Sequence, residues 1–144
     1  MSDIDSPGPI IDRVAFGRII AALLELRPRP GKLAPLFAAE ACWHMNGDPA
    51  SWAYAGKRCD RDSILAYLEA FAVEYEQLET RLLTTVIEGE QACIQYEMRV
   101  RHRGTGRVDT IPCLCFIRVE GELIVEGNEF VDTATLFRLR DSGP

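Results

Sequence analysis

Ala92-Cys93-Ile94-Gln95-Tyr96-Glu97-Met98-Arg99-Val100-Arg101-His102 is the stretch on which the fold turns. Ala92, Ile94, Tyr96, Met98 and Val100 fall on one side of a period-two repeat. Gln95, Glu97, Arg99 and Arg101 fall on the other. Successive side chains of a strand point to opposite faces, so this pattern predicts a strand with one buried and one wetter face.

Outward from it the same period continues. Residues 78–88 read as a preceding strand, closed by Glu88-Gly89-Glu90. Gly104-Thr105-Gly106 is a hairpin turn, residues 108–120 a third strand and residues 123–132 a fourth. Upstream the period is helical. Ile11, Ala15, Ile19, Ala22, Leu23 and Leu26 mark a first helix, stopped by Arg27-Pro28-Arg29-Pro30-Gly31, a rigid connector. Residues 32–39 form one or two further turns, and residues 40–45 a short strand. An irregular loop follows Asn46-Gly47-Asp48-Pro49. Asp60 or Ser63 caps a second long helix carrying Ile64, Leu65, Leu68, Phe71, Ala72 and Tyr75. Helices come first and strands follow in a block, which favours an α+β fold over alternating α/β. Residues 10–138 read as one domain, with tails at 1–9 and 139–144.

Composition bounds the function. The chain has 144 residues, of which 47% are hydrophobic and 26% charged, with net charge −6. A sizeable core is possible and wholesale disorder is excluded. No apolar run is long enough for a spanning helix. The acidic balance argues against nucleic acid, so Arg99, Arg101, Arg103 and Arg107 read as a solvated stripe. Cys42, Cys59, Cys93, Cys113 and Cys115 are odd in number and show no metal-ligand spacing. They read as reduced thiols of a cytoplasmic protein, with no signal peptide at the N-terminus.

The order of elements resembles the nuclear transport factor 2-like fold, and within it the SnoaL-like polyketide cyclase, limonene epoxide hydrolase and ketosteroid isomerase group. The likeness is carried by Leu36-Phe37-Ala38-Ala39-Glu40-Ala41-Cys42-Trp43-His44, by Gly56 with Asp62-Ser63-Ile64-Leu65-Ala66-Tyr67-Leu68, and by Glu120-Gly121-Glu122-Leu123-Ile124. It implies a strongly curved antiparallel sheet wrapped around helices, a cone with an internal pocket. The catalytic sets of that group are not retained. The isomerase's base, oxyanion Tyr and protonated Asp fall at Met45, Ile19 and Leu114, and the hydrolase's Arg and Asp pair at Tyr96, Met98 and Asn128.

If Trp43 and Met45 point inward, Tyr96, Met98, Val100, Leu114, Phe116, Asn128 and Phe130 are expected with them. The pocket wall then consists of Trp43, Met45, Met98, Leu114, Phe116 and Phe130, suited to an apolar substrate. The catalytic candidates are Glu126, Tyr96, Asn128 and His44. A carboxyl such as Glu126 in an apolar cavity can serve as general acid or base. Asp132 is a similar candidate at the mouth, and His102 is expected to be exposed. Cys113, Cys115, Ile117 and Val119, with Leu123 and Val125, would then form an outer patch covered by a second copy in a homodimer or, alternatively, within the chain by the C-terminal segment. The function expected is a cofactor-independent isomerase, cyclase or hydratase, without metal. The alternative is a non-catalytic ligand-binding or dimerisation module of the same fold.

Overall fold

The computed structural model describes residues 11–141. The expected tail at residues 1–9 lies outside them, as do residues 142–144. Helix α1 (Arg13–Leu26) begins where the Asp12 carboxylate accepts the Ala15 amide at 2.8 Å, and it buries Phe16, Ile19, Ile20, Leu23 and Leu24. A 3₁₀ segment (Pro30–Leu36) leads into β1 (Phe37–Met45). The loop after β1 returns as β2 (Gly56–Cys59), an edge strand that the sequence reading missed. Helix α2 (Arg61–Glu74) is capped by Asp60, whose side chain accepts the Ser63 amide, and it buries Ile64, Tyr67, Leu68 and Phe71.

Four long strands follow: β3 (Tyr75–Glu88), β4 (Gln91–His102), β5 (Val108–Glu120) and β6 (Leu123–Val131). The sheet order is β2-β1-β6-β5-β4-β3. All pairs are antiparallel except β1 with β6, which run parallel. The chain therefore lays its first strand beside its last, and β2 and β3 form the two edges. Helix α3 (Thr133–Arg140) ends the described chain and buries Leu136 and Leu139, so helical structure runs past the expected end at residue 138. Among the described residues, no helix is long and apolar enough to cross a membrane.

Strand register decides which residues see the interior. Tyr96 stands opposite Cys113, and Cys113 opposite Val131. The inner rows are therefore Tyr96-Cys113-Val131, Ile94-Cys115-Glu129-Met45 and Ala92-Ile117-Gly127-Trp43. This corrects the expected faces of β5 and β6. Leu114, Phe116 and Phe130 point out and are 43%, 53% and 44% exposed, while Cys113, Cys115, Ile117 and Val119 are buried. A one-residue change of register moves every side chain to the other face. Both faces of β5 are rich in apolar residues, so alternation alone did not choose. The signal present was polarity: Thr110, Arg118 and Glu120 share the outer face with Leu114 and Phe116.

Two further corrections concern cysteine and histidine. Cys42 and Cys59 are register partners on β1 and β2 and form a disulfide, so the five cysteines are not all reduced. His102 is buried, not exposed. Its Nδ1 accepts the Gly104 and Thr105 amides, which leaves Nε2–H to donate to Glu74 at 2.8 Å.

Candidate functional site

The inner face of β6 carries a carboxylate. Glu129 lies between Gly127 and Val131 on that face and is fully buried. Trp43 on β1 reaches it because Gly127 stands beside Trp43 and has no side chain; a Cβ there would sit 2.3 Å from the indole ring. Trp43 Nε1 donates to Glu129 Oε1 at 3.2 Å. Tyr67 of α2 donates to the same oxygen at 2.8 Å, and Tyr96 of β4 donates to Oε2 at 2.7 Å. Arg27, the residue that caps the C-terminus of α1, turns inward and forms an ion pair with Oε2. Its guanidinium also lies over the Phe71 ring, 5.7 Å from the centroid.

Five elements therefore each supply one polar side chain to a single point in an apolar core. Burial alone pushes the Glu129 carboxyl up. The Arg27 charge and the hydrogen bonds from Arg27, Tyr96 and Tyr67 more than reverse it, and the carboxyl is held below its ordinary value. Tyr67 and Tyr96 move the other way: burial and then the Glu129 charge hold both hydroxyls protonated. Burial pushes the Cys113 and Cys115 thiols up, which keeps them unreactive. The cluster thus holds an ionised base, two phenol donors, an indole donor and a cation. One donor, Arg27 Nε, is buried without a partner.

The expected site residues divide between the two faces. Trp43, Met45, Tyr96 and Met98 face the interior and are buried. Glu126, Asn128 and His44 lie on the outer face, where His44 stands beside Asn128 on the neighbouring strand. Asn128 Nδ2 donates to Glu126 Oε1 at 3.3 Å, and Arg118 approaches the other oxygen of Glu126 at 3.4 Å. With Phe116 they line a cleft of about 300 Å³ that opens to solvent, so Glu126 is not an acid in an apolar cavity. Asp132 is the N-cap of α3; its carboxylate accepts the Thr135 amide and hydroxyl and is held below its usual range by those bonds.

Arg27 and Glu129 went unnoticed in the sequence. Arg27 opens a proline turn, where an arginine is ordinarily solvated. Glu129 interrupts an otherwise apolar or small face of β6, Ile124-Gly127-Val131, and that interruption was the available signal. Among the described residues, no group of three or more His, Cys, Asp or Glu is placed to hold a metal ion.

Residues 17–127 match the SnoaL-like domain family. The chain belongs to that family. Solved structures agree on the fold. A protein named as a SnoaL-like polyketide cyclase from Jannaschia superposes with TM-score 0.79 at 11% identity, over 93% of this chain and 99% of that one. An NTF2-like protein from Burkholderia xenovorans gives 0.71 at 20% identity, over 90% and 98% of the two chains. An NTF2-like protein of unknown function from Burkholderia pseudomallei gives 0.73 at 19%, over 87% and 96%. At these identities the SnoaL-like chain shares a fold with them, and its chemistry rests on its own side chains. No curated protein matches the chain.

Proposed function

We propose that this SnoaL-like chain acts on a small apolar substrate carrying one oxygen function, with the Glu129 cluster as its reactive centre. The observation that carries the reading is the convergence of Arg27, Trp43, Tyr67 and Tyr96 on one buried carboxylate. Stability does not call for such a cluster, because well-packed apolar residues in place of a buried ion pair are often neutral or stabilising. Ionisable groups with strongly perturbed pKa values concentrate at functional sites.

The chemistry that fits is proton transfer beside a carbonyl. Glu129 takes a proton from the carbon next to the carbonyl. The C–H electron pair becomes the new carbon–carbon double bond, the carbonyl π pair moves onto oxygen, and a tyrosine hydroxyl released from Glu129 donates to that enolate oxygen. Return of the proton to a different carbon is an isomerisation. Admission of substrate requires the Arg27 connector to move, because all five side chains are buried.

The test is hydrogen–deuterium exchange at the α-carbon of 2-tetralone, followed by proton NMR. Wild-type protein accelerates exchange over buffer; Glu129→Gln abolishes the acceleration and Tyr96→Phe lowers it by about a hundredfold. Exchange no faster than buffer removes the catalytic reading.

A second reading has its own observation. Leu114, Phe116 and Phe130 form an exposed apolar patch on the outer face, of the kind monomers seldom leave uncovered. We propose that this face meets a second copy, and a non-catalytic dimerisation module would need nothing more. Light scattering on wild type and on Phe116→Asp decides: a dimer reduced to monomer by the variant supports the interface, and a wild-type monomer removes it.

A further inference from the structure

The connector that carries Arg27 inward has an outer side. Pro28, Arg29, Pro30 and Lys32 form one wall of a groove of about 560 Å³, with Val73 of α2 and Arg103 opposite. The groove is shallow and open to solvent, so a ligand would rest along it with one side uncovered. We propose that this groove binds an amphipathic monocarboxylate, a single carboxylate on an apolar body. The site is separate from the Glu129 cluster and stands whether or not that cluster is catalytic.

Charge is the first argument. The chain as a whole is −6, yet three cations, Arg29, Lys32 and Arg103, stand on this groove against one acid, Glu69. A local cationic cleft on an acidic surface focuses the field for an anion that the rest of the molecule repels. Arg29 and Lys32 are exposed, and no described acidic side chain forms a salt bridge with either. Arg103 is held in place: its Nε donates to the Ala72 carbonyl at 3.2 Å and its NH1 lies 3.6 Å from Glu76. A cation already fixed over the groove loses little freedom when an anion arrives.

The walls supply the second argument. Pro28 is exposed beside the buried Pro30, and both have fixed backbone angles and no amide donor, so this wall is stiff and apolar. Val73 faces them with 64% of its surface exposed, on the outer side of α2. These walls need an organic body to cover them, which inorganic phosphate lacks. The single Glu69 on the rim opposes a dianion more than a monoanion. No aromatic ring lines the groove for base stacking, so single-stranded nucleic acid fits poorly.

The probe is 2-naphthoate, titrated by fluorescence and calorimetry. Wild type binds it, and raising salt from about 50 mM to about 500 mM weakens binding severalfold. The Arg29→Glu/Lys32→Glu double variant weakens it by about tenfold, with circular dichroism confirming the fold. Val73→Asp weakens it too, whereas Val86→Asp, an exposed position near the far end of β3, leaves it unchanged. Uncharged 2-naphthol binds by about tenfold less than the carboxylate. Absence of 2-naphthoate binding, equal binding to the double variant, or displacement by inorganic phosphate at equal affinity would each overturn the proposal.

Discussion

Arg27 and Glu129 stand 102 residues apart in the chain and meet as an ion pair in the centre of the core, their side chains 2% and 0% exposed. Neither charge has contact with water, so each depends on the other. Arg27→Met leaves a buried carboxylate without its cation and is expected to cost about 3–5 kcal/mol in urea unfolding. The double replacement Arg27→Met/Glu129→Gln removes both charges, keeps an amide oxygen as acceptor among Trp43, Tyr67 and Tyr96, and is expected to recover part of that loss. A single variant that loses less than about 1 kcal/mol would mean that Glu129 is not relying on Arg27.

Acid should act through the same carboxyl. Its folded pKa lies below the ordinary 4.5, so the folded state binds the proton less readily than the unfolded chain. The stabilisation is therefore complete above the ordinary value and is lost as pH falls below it, through the folded value. Urea midpoints measured from roughly pH 6 down to roughly pH 3 should fall in wild type. The fall should be shallower in Glu129→Gln. Some slope persists there, because Glu74 and Asp132 are also held below their usual range, Glu74 by Arg140, Tyr54 and His102 against the effect of burial.

Gly127 is set by Trp43. A Cβ at 2.3 Å from Cε3 and Cζ3 of the indole cannot be accommodated by a small shift, since the ring is itself fully buried. Gly127→Ala is expected to lower the thermal midpoint sharply, by the equivalent of about 3 kcal/mol or more. Trp43→Leu in the same chain should relieve the clash and raise the midpoint again. If Gly127→Ala alone melts with wild type, the close approach of ring and strand is wrong.

The Cys42–Cys59 bond closes a loop across a sequence separation of 17 and ties the short edge strand β2 to β1. Serine at both positions is expected to cost about 3 kcal/mol, most of it through a freer unfolded chain. Mass change on alkylation, with and without dithiothreitol, establishes the bond before the comparison is made. Equal urea midpoints for wild type and the double serine variant would show that β2 needs no tether. Its Arg58 also stacks on the Tyr67 ring, 4.2 Å from the centroid, which gives β2 a second attachment.

Most of the fold was legible because its strands are long. Twelve residues of alternation in β4 leave little choice of structure, and the glycine turns at 89, 106 and 121 separate the neighbouring strands. β2 was not legible, since four residues with half-exposed side chains carry no period to detect. α3 was lost for a similar reason: eight residues with two arginines in the last turn read as a polar end.

The site was legible only in part. Trp43 and Tyr96 were named because apolar neighbours marked their faces. His44 neighbours Trp43, so strict alternation already puts it on the outer face, whereas Glu126 and Asn128 rest on a face assignment that strand pairing reversed. Their alternation with one another was sound; which side of the sheet they occupy was the error.

By itself, then, the sequence determined the α+β class, the four-strand meander and the existence of two chemically different faces on β4, because period and turn chemistry are local properties of the chain. Only the tertiary structure decided which face of β5 and β6 turns inward, that Cys42 finds Cys59, and that Arg27 finds Glu129. A period of two defines two faces without ranking them. A carboxylate on β6 and a guanidinium at the end of α1 come within bonding distance only when a whole sheet has closed around them.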